Sequence, residues 1–180
     1  RLRLNIYSNG VHKENSEISG DSYTYLQLDK GKYLLALADG MGSGELAREE
    51  SAASIEMYED FASAGFNRET ILEAINSVLL LDEGRECFST LDICTVDLYS
   101  GEAEFIKIGA VSTFIAKGRN VEVLSSSSLP VGILGKVDRE IFNKTLAKGD
   151  IIVMLTDGVI DSRGGSIRSE DWIKSAIKER

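Results

Sequence analysis

One histidine and two cysteines are the whole supply of imidazole and thiol in this chain of 180 residues. A Ser-His-Asp triad would have to depend on His12 alone, and a lone histidine is seldom catalytic. Cys87 and Cys94 have no third cysteine or histidine cluster beside them, so they read as two reduced thiols rather than a disulfide or a zinc site. Basic residues are also short. Twenty Lys and Arg stand against 29 Asp and Glu, a net charge of −9, which argues against nucleic acid and anionic membrane as partners. No apolar run approaches the ~20 residues that span a bilayer, and the first residues do not read as a signal peptide, so the expected location is cytoplasmic. At 43% hydrophobic and 27% charged, the composition is that of a soluble globular domain with a real core. Chemistry here has to come from acids and backbone.

Two Asp-Gly steps stand out, each just after an apolar run: KYLLALADGMGSG, with Asp39 and Gly40, and IIVMLTDGVID, with Asp157 and Gly158. Runs of Val, Ile, Leu and Met bounded by glycine read as buried strands. A carboxylate at a strand end is held rigidly, and the glycine after it lets a carbonyl face the same point. Two such ends side by side make an oxygen-lined pocket suited to a hard divalent cation. Asp21, in SGDSY, is a third acid at a strand edge; a capping or turn role remains open for it, as a plain tight turn does for Asp39. Asp92, Asp97, Asp150 and Asp161 are further acids within reach, with Asp150 reading as a turn residue and Asp92 as a solvent-facing strand position. A phosphate-binding P-loop is excluded, because DGMGSG lacks its lysine. An ATP lid of the histidine-kinase type also uses an Asp and spaced glycines, but needs no second Asp-Gly strand end.

Strand patterns fall near residues 2–8, 22–28 and 32–38, then 91–98, 102–108, 112–116, 120–124, 139–145 and 151–156. About fifty helical residues separate the two sets. In the first helix, Leu46, Ala53, Met57 and Phe61 form one apolar stripe, which leaves Ile55, Tyr58 and Ala62 off it. Ala64-Gly65 ends that helix. Asn67 caps the next, with Glu69 in its first turn and Ile71, Leu72, Ile75, Val78 and Leu79 as the buried face. A last helix covers SEDWIKSAIKER. Strands, two helices, more strands and a helix make an α+β order rather than βαβ alternation. Ile151–Leu155 and Leu34–Leu37 are expected as central strands.

The segments GDSY, LADGMGSG, STLDICTVDL, SLPVGIL and GDIIVMLTDGVID, in this order from about residue 18 to 162, resemble the metal-dependent Ser/Thr phosphatases of type 2C. Within them the chain is most similar to the bacterial SpoIIE branch, which dephosphorylates a phosphoserine on an anti-sigma-factor antagonist. The resemblance implies two facing antiparallel sheets with helices outside, and phosphoester hydrolysis by a water or hydroxide bridged between two Mn²⁺ or Mg²⁺ ions. Carried over by motif, Asp39 bridges the metals, Gly40 lends its carbonyl, Asp157 and Asp21 are further ligands, Thr90 lies beside the site, and Asp161 follows the second Asp-Gly. The implied substrate is a phosphorylated antagonist with a STAS-type domain. A homodimer through helices 45–81 is also implied, with Ile55, Tyr58 and Ala62 free to meet a second chain. The family's closing Asp-Asp-Met/Asn-Thr strand has no counterpart in SIRSEDWIKSAIKER. Residues 1–180 are therefore expected to be one phosphatase-type domain, cut at both ends and lacking one ligand carboxylate, with weak or no activity as it stands. A non-catalytic regulatory or binding module of the same fold is the alternative.

Overall fold

A computed structural model describes residues 1–10, 18–42, 44–81, 87–161 and 169–179, with 161 and 169 described for the backbone alone. Its elements run β1 (Asp21–Gln27), β2 (Lys32–Gly40), α1 (Glu45–Ser63), α2 (Arg68–Leu80), β3 (Ser89–Asp97), β4 (Glu102–Ile108), β5 (Thr113–Lys117), β6 (Asn120–Leu124), β7 (Glu140–Thr145), β8 (Ile151–Val153), α3 (Asp157–Asp161) and α4 (Ser169–Lys178). Strands β1-β2-β3-β4-β7 form a five-stranded sheet and β6-β5-β8 a three-stranded one. Every pairing is antiparallel.

Period-two alternation gives the large sheet two buried faces. Leu34, Ala36, Ala38, Leu91, Ile93, Ile106 and Ile108 pack under α1 and α2 with Ile55, Tyr58, Ile71, Leu72 and Ile75. Cys94, Val96, Ala103 and Phe105 turn to the small sheet and meet Ile115 and Leu124. Burial on both faces is why β2 and β3 read as near-continuous apolar runs. On the small sheet, α4 lies against β5 and β6, with Ile173 buried. Helices thus cover the outside of both sheets. Asn67 caps α2 as expected, its side chain accepting from Thr70 N–H at 2.9 Å.

Only part of the expected α1 stripe meets the core: Met57 and Phe61 pack on it partly buried. Ala47, Ser51, Ser54, Ile55 and Tyr58 face the sheet, while Leu46 is 52% exposed. Small and hydroxylic residues are selected because this helix lies close to the strands: Ser51 Oγ is 2.8 Å from Ser22 Oγ, and Thr24 donates to Glu59 at 2.9 Å. Ile55 and Tyr58, each 4% exposed, are core residues and unavailable to a second chain, and Ala62 packs partly buried against the same cluster. On α2, Val78 is exposed and Asn76 is buried in its stead, bonding Leu134 O and Gly132 N–H. Ile55→Ala is accordingly expected to cost about 2–5 kcal/mol and Leu46→Ala less than about 0.5, measured by denaturant unfolding.

Two strand expectations also change. Residues 2–8 form no ladder, although Leu2 N–H donates to Leu98 O at 2.7 Å and Leu2 and Leu4 pack on the inter-sheet core. β8 stops at Val153 and sits at the edge of the small sheet, half-buried, as is Leu155 beyond it. The central strand there is β5, with Phe114 and Ile115 fully buried.

Candidate metal centre

Register alone brings three of the expected residues into one row. Asp39, next to last in β2, stands opposite Asp21 of β1 and Thr90 of β3. Like charges directly opposite each other destabilise a sheet, so the Asp21–Asp39 pair is held together by the rest of the fold rather than by itself. Asp157 joins the row from α3, at the end of the segment that follows β8. Thr90 Oγ1 accepts from Asp39 N–H at 3.1 Å and fixes the strand end. Asp21 is oriented through one oxygen: its Oδ2 accepts from Ser19 Oγ at 3.2 Å and from Thr156 Oγ1 at 3.1 Å. Gly40 N–H donates to Gly20 O at 3.2 Å, which ties the loop before β1 to the end of β2.

Asp39 is the common neighbour of the other two acids. Burial, then the charges of Asp157 and Asp21 and hydrogen bonds to both carboxyls, push its carboxyl up to about 8 from an ordinary 3.8. None of the salt bridges among the described residues reaches Asp21, Asp39 or Asp157. Nor do three His, Cys, Asp or Glu side chains of the described residues form a preshaped metal cage. The two other acids each meet Asp39, which is hydrogen-bonded to both. A cavity of about 70 Å³ opens beside them, lined by Asp39, Thr90, Asp92, Thr156 and Asp157 with Leu37, Leu155 and residues 109–111. A larger cavity of about 670 Å³ lies at the opposite ends of the same strands, between the α1–α2 turn and Lys32, Asp97, Glu102 and Thr145. Of the candidate acids it holds only Asp97.

The two Asp-Gly steps differ. A Cβ on Gly40 would lie 1.8 Å from the carbonyl oxygen of Ala47 in α1, so this glycine is required by the close approach of helix and strand. Gly158 is the second residue of α3, where a Cβ would meet nothing. The expected turn after TDG is therefore a helix start. Asp161 ends α3, and its side chain lies outside the described residues, as does all of His12. Asp97 caps the turn after β3 by accepting from Tyr99 N–H at 2.8 Å, and Asp150 accepts from Ala147 N–H at 2.9 Å in a turn. Asp92 is not solvent-facing. It is 1% exposed and paired with Lys107, which is fully buried. Burial pushes the Asp92 carboxyl up and the Lys107 ammonium down, each partly offset by the other. Part of the signal was available: Asp92 falls between Leu91 and Ile93, and Lys107 between Ile106 and Ile108, with opposite charge. Ser19 and Thr156, which orient Asp21, carried no signal beyond lying near the motifs.

The sequence model of the family described as Stage II sporulation protein E (SpoIIE) matches residues 29–179. The chain belongs to the SpoIIE family. Stage II sporulation protein E of Priestia megaterium is 36% identical over 162 residues, covering 90% of this chain and 28% of that protein. The structure of the PP2C phosphatase domain of SpoIIE from Bacillus subtilis, with a fragment of its regulatory domain, matches with a TM-score of 0.83 at 33% identity, over 93% of this chain and 49% of that one. The phosphoserine phosphatase RsbX of Bacillus subtilis (strain 168) is 30% identical over 152 residues, covering 83% of this chain and 71% of RsbX. A crystal structure of RsbX in complex with magnesium matches with a TM-score of 0.68 at 25% identity, over 92% of this chain and 83% of that one. The layered α+β architecture expected from the SpoIIE-like segments is thus the type 2C phosphatase fold. The chain spans only 28% and 20% of the two SpoIIE relatives' lengths. No helix among the described residues is long and apolar enough to cross a membrane.

Proposed function

We propose that this domain hydrolyses phosphoserine or phosphothreonine on a protein, in the cytoplasm, using Mn²⁺ or Mg²⁺ held by Asp39, Gly40, Asp157 and Asp21. The observation that carries the reading is Asp39, whose carboxyl is crowded by two others with no cationic side chain among the described residues to balance them. A hard divalent cation fits this donor set, because every donor is an oxygen. Bound there as a pair, such cations supply neutralising charge for phosphoryl oxygens and lower the pKa of water. The chain's own part is to hold the acids in register. Thr90 fixes the backbone at Asp39, and Ser19 and Thr156 orient Asp21 through its Oδ2.

The size of the site supports a protein substrate. Sites that enclose small molecules measure roughly 300–1,000 Å³, and the cavity beside Asp39 is about 70 Å³. A phosphorylated side chain presented on a protein surface needs no deeper pocket. RsbX, named a phosphoserine phosphatase, supports the same class, and the substrate we favour is a phosphorylated anti-sigma-factor antagonist with a STAS-type domain. The experiment uses the domain extended through the family's closing Asp-Asp-Met/Asn-Thr strand and compares phosphate release from such a phosphoserine protein and from a small aryl phosphate at equal Mn²⁺. We expect kcat/KM for the protein to be higher by at least ~100-fold, since remote contacts lower the barrier. Equal or better turnover of the aryl phosphate would reject the protein-substrate reading.

A further inference from the structure

Asp92 of β3 and Lys107 of β4 are a directly opposed cross-strand pair between the two sheets, beside the acids of the candidate centre. Lys107 Nζ donates to Asp92 Oδ2 at 2.7 Å and to Thr113 Oγ1 of β5 at 2.9 Å, and the Thr113 hydroxyl donates to the same Asp92 oxygen. Everything falls on Oδ2. Oδ1 is buried and has no hydrogen-bond partner among the described residues. A buried carboxylate oxygen left without a donor is costly and calls for an explanation in a water or an ion. Asp92 also lines the cavity that Asp39 and Asp157 line. With Oδ2 turned to Lys107 and Thr113, Oδ1 is the oxygen left for that cavity. Its volume of about 70 Å³ has room for about two waters at ~30 Å³ each.

Resting on the metal reading of the site, we propose that Asp92 is a positioning residue of the centre: its Oδ1 accepts hydrogen bonds from the waters of a cation held by Asp39 and Asp157. Lys107 and Thr113 lock the carboxylate in that orientation. Lys107 also cancels its charge, so that Asp92 offers an acceptor without adding a fourth net negative charge to a crowded site. An ion pair that merely joined the sheets would need no buried oxygen left without a donor.

Two variants separate the roles. Asp92→Asn keeps the size; its amide oxygen accepts from Lys107 and its NH₂ group then faces the cavity, replacing an acceptor by a donor. Because that variant leaves Lys107 without a counter-charge and risks unfolding, the decisive one is Asp92→Leu combined with Lys107→Met. Replacing a buried ion pair by apolar residues of similar volume is often neutral for stability, and removing a neutral pair leaves the net charge beside the cation unchanged. Mn²⁺ affinity measured by calorimetry is expected to fall ~10–100-fold in the double variant, the usual effect of losing an outer hydrogen-bond partner of a metal site. Its circular dichroism should match the parent, with a lower melting temperature in chelator because the buried Thr113 hydroxyl loses both its partners. A folded double variant that binds Mn²⁺ with parental affinity overturns the proposal. A parent protein that binds no Mn²⁺ in the same calorimeter overturns the metal reading itself, and this inference with it.

Discussion

Replacing Asp39 by Asn is expected to make the chelated protein more stable at pH 8 and to reduce phosphatase activity by several orders of magnitude. The stability effect follows from the sign of the shift. The Asp39 carboxyl stands at about 8 in the fold against an ordinary 3.8, so between those values the folded chain holds a proton that the unfolded chain has released. Stability contributed by that proton is complete below about pH 4 and is lost as pH rises through about 8. Asn removes the repulsion, so the variant should melt at higher temperature than the parent at pH 8 and show a flatter dependence on pH. Added Mn²⁺ should reverse the order, stabilising the parent by mass action and leaving the variant unmoved. The activity effect follows because the charge crowding that destabilises the fold is the same feature that draws the cation. A variant that melts lower than the parent in chelator at pH 8, or keeps its activity, contradicts this view of Asp39.

The second large effect is expected at Gly40. A Cβ there would meet the backbone of Ala47 at 1.8 Å to its oxygen, 2.5 Å to its carbon and 2.8 Å to its Cα. Backbone cannot swing aside as a side chain can, so α1 has to move. Overpacking of this kind costs about 1–3 kcal/mol or more, and the displaced helix begins five residues after Gly40, in the loop leaving the site. Gly40→Ala should therefore lose both stability and Mn²⁺ affinity. Gly158→Ala is the control. Its Cβ meets nothing, and alanine in a helix gains up to about 1 kcal/mol over glycine, so denaturant unfolding should show a neutral or stabilising change. Equal losses at the two glycines would mean that both Asp-Gly steps are turns after all.

That contrast also shows what could be read from the chain. Apolar runs and punctuation were enough to order the strands and the two long helices, because burial on both faces leaves a strong pattern. The row Asp21–Asp39–Thr90 was legible as three motifs, and register then placed them side by side. What failed was whatever depends on distance between elements. Along β2 the residues facing α1 shrink from Leu34 through Ala36 and Ala38 to Gly40, and the helix answers with Ala47, Ser51 and Ser54 instead of its larger side chains. A search for the most apolar stripe passes over such a seam, and so misassigned Ile55 and Tyr58. Asp92 was missed for a related reason: alternation says which face a residue takes, not whether another sheet covers that face.

The most direct measurement is phosphate release from a phosphoserine protein, by the domain extended through the family's closing Asp-Asp-Met/Asn-Thr strand, as free Mn²⁺ or Mg²⁺ is raised from zero, with excess chelator as the baseline. A saturable rise from no turnover is expected, with Asp39→Asn flat across the range. Turnover undiminished in excess chelator would contradict the assignment of Asp39, Gly40, Asp157 and Asp21 to a catalytic metal centre.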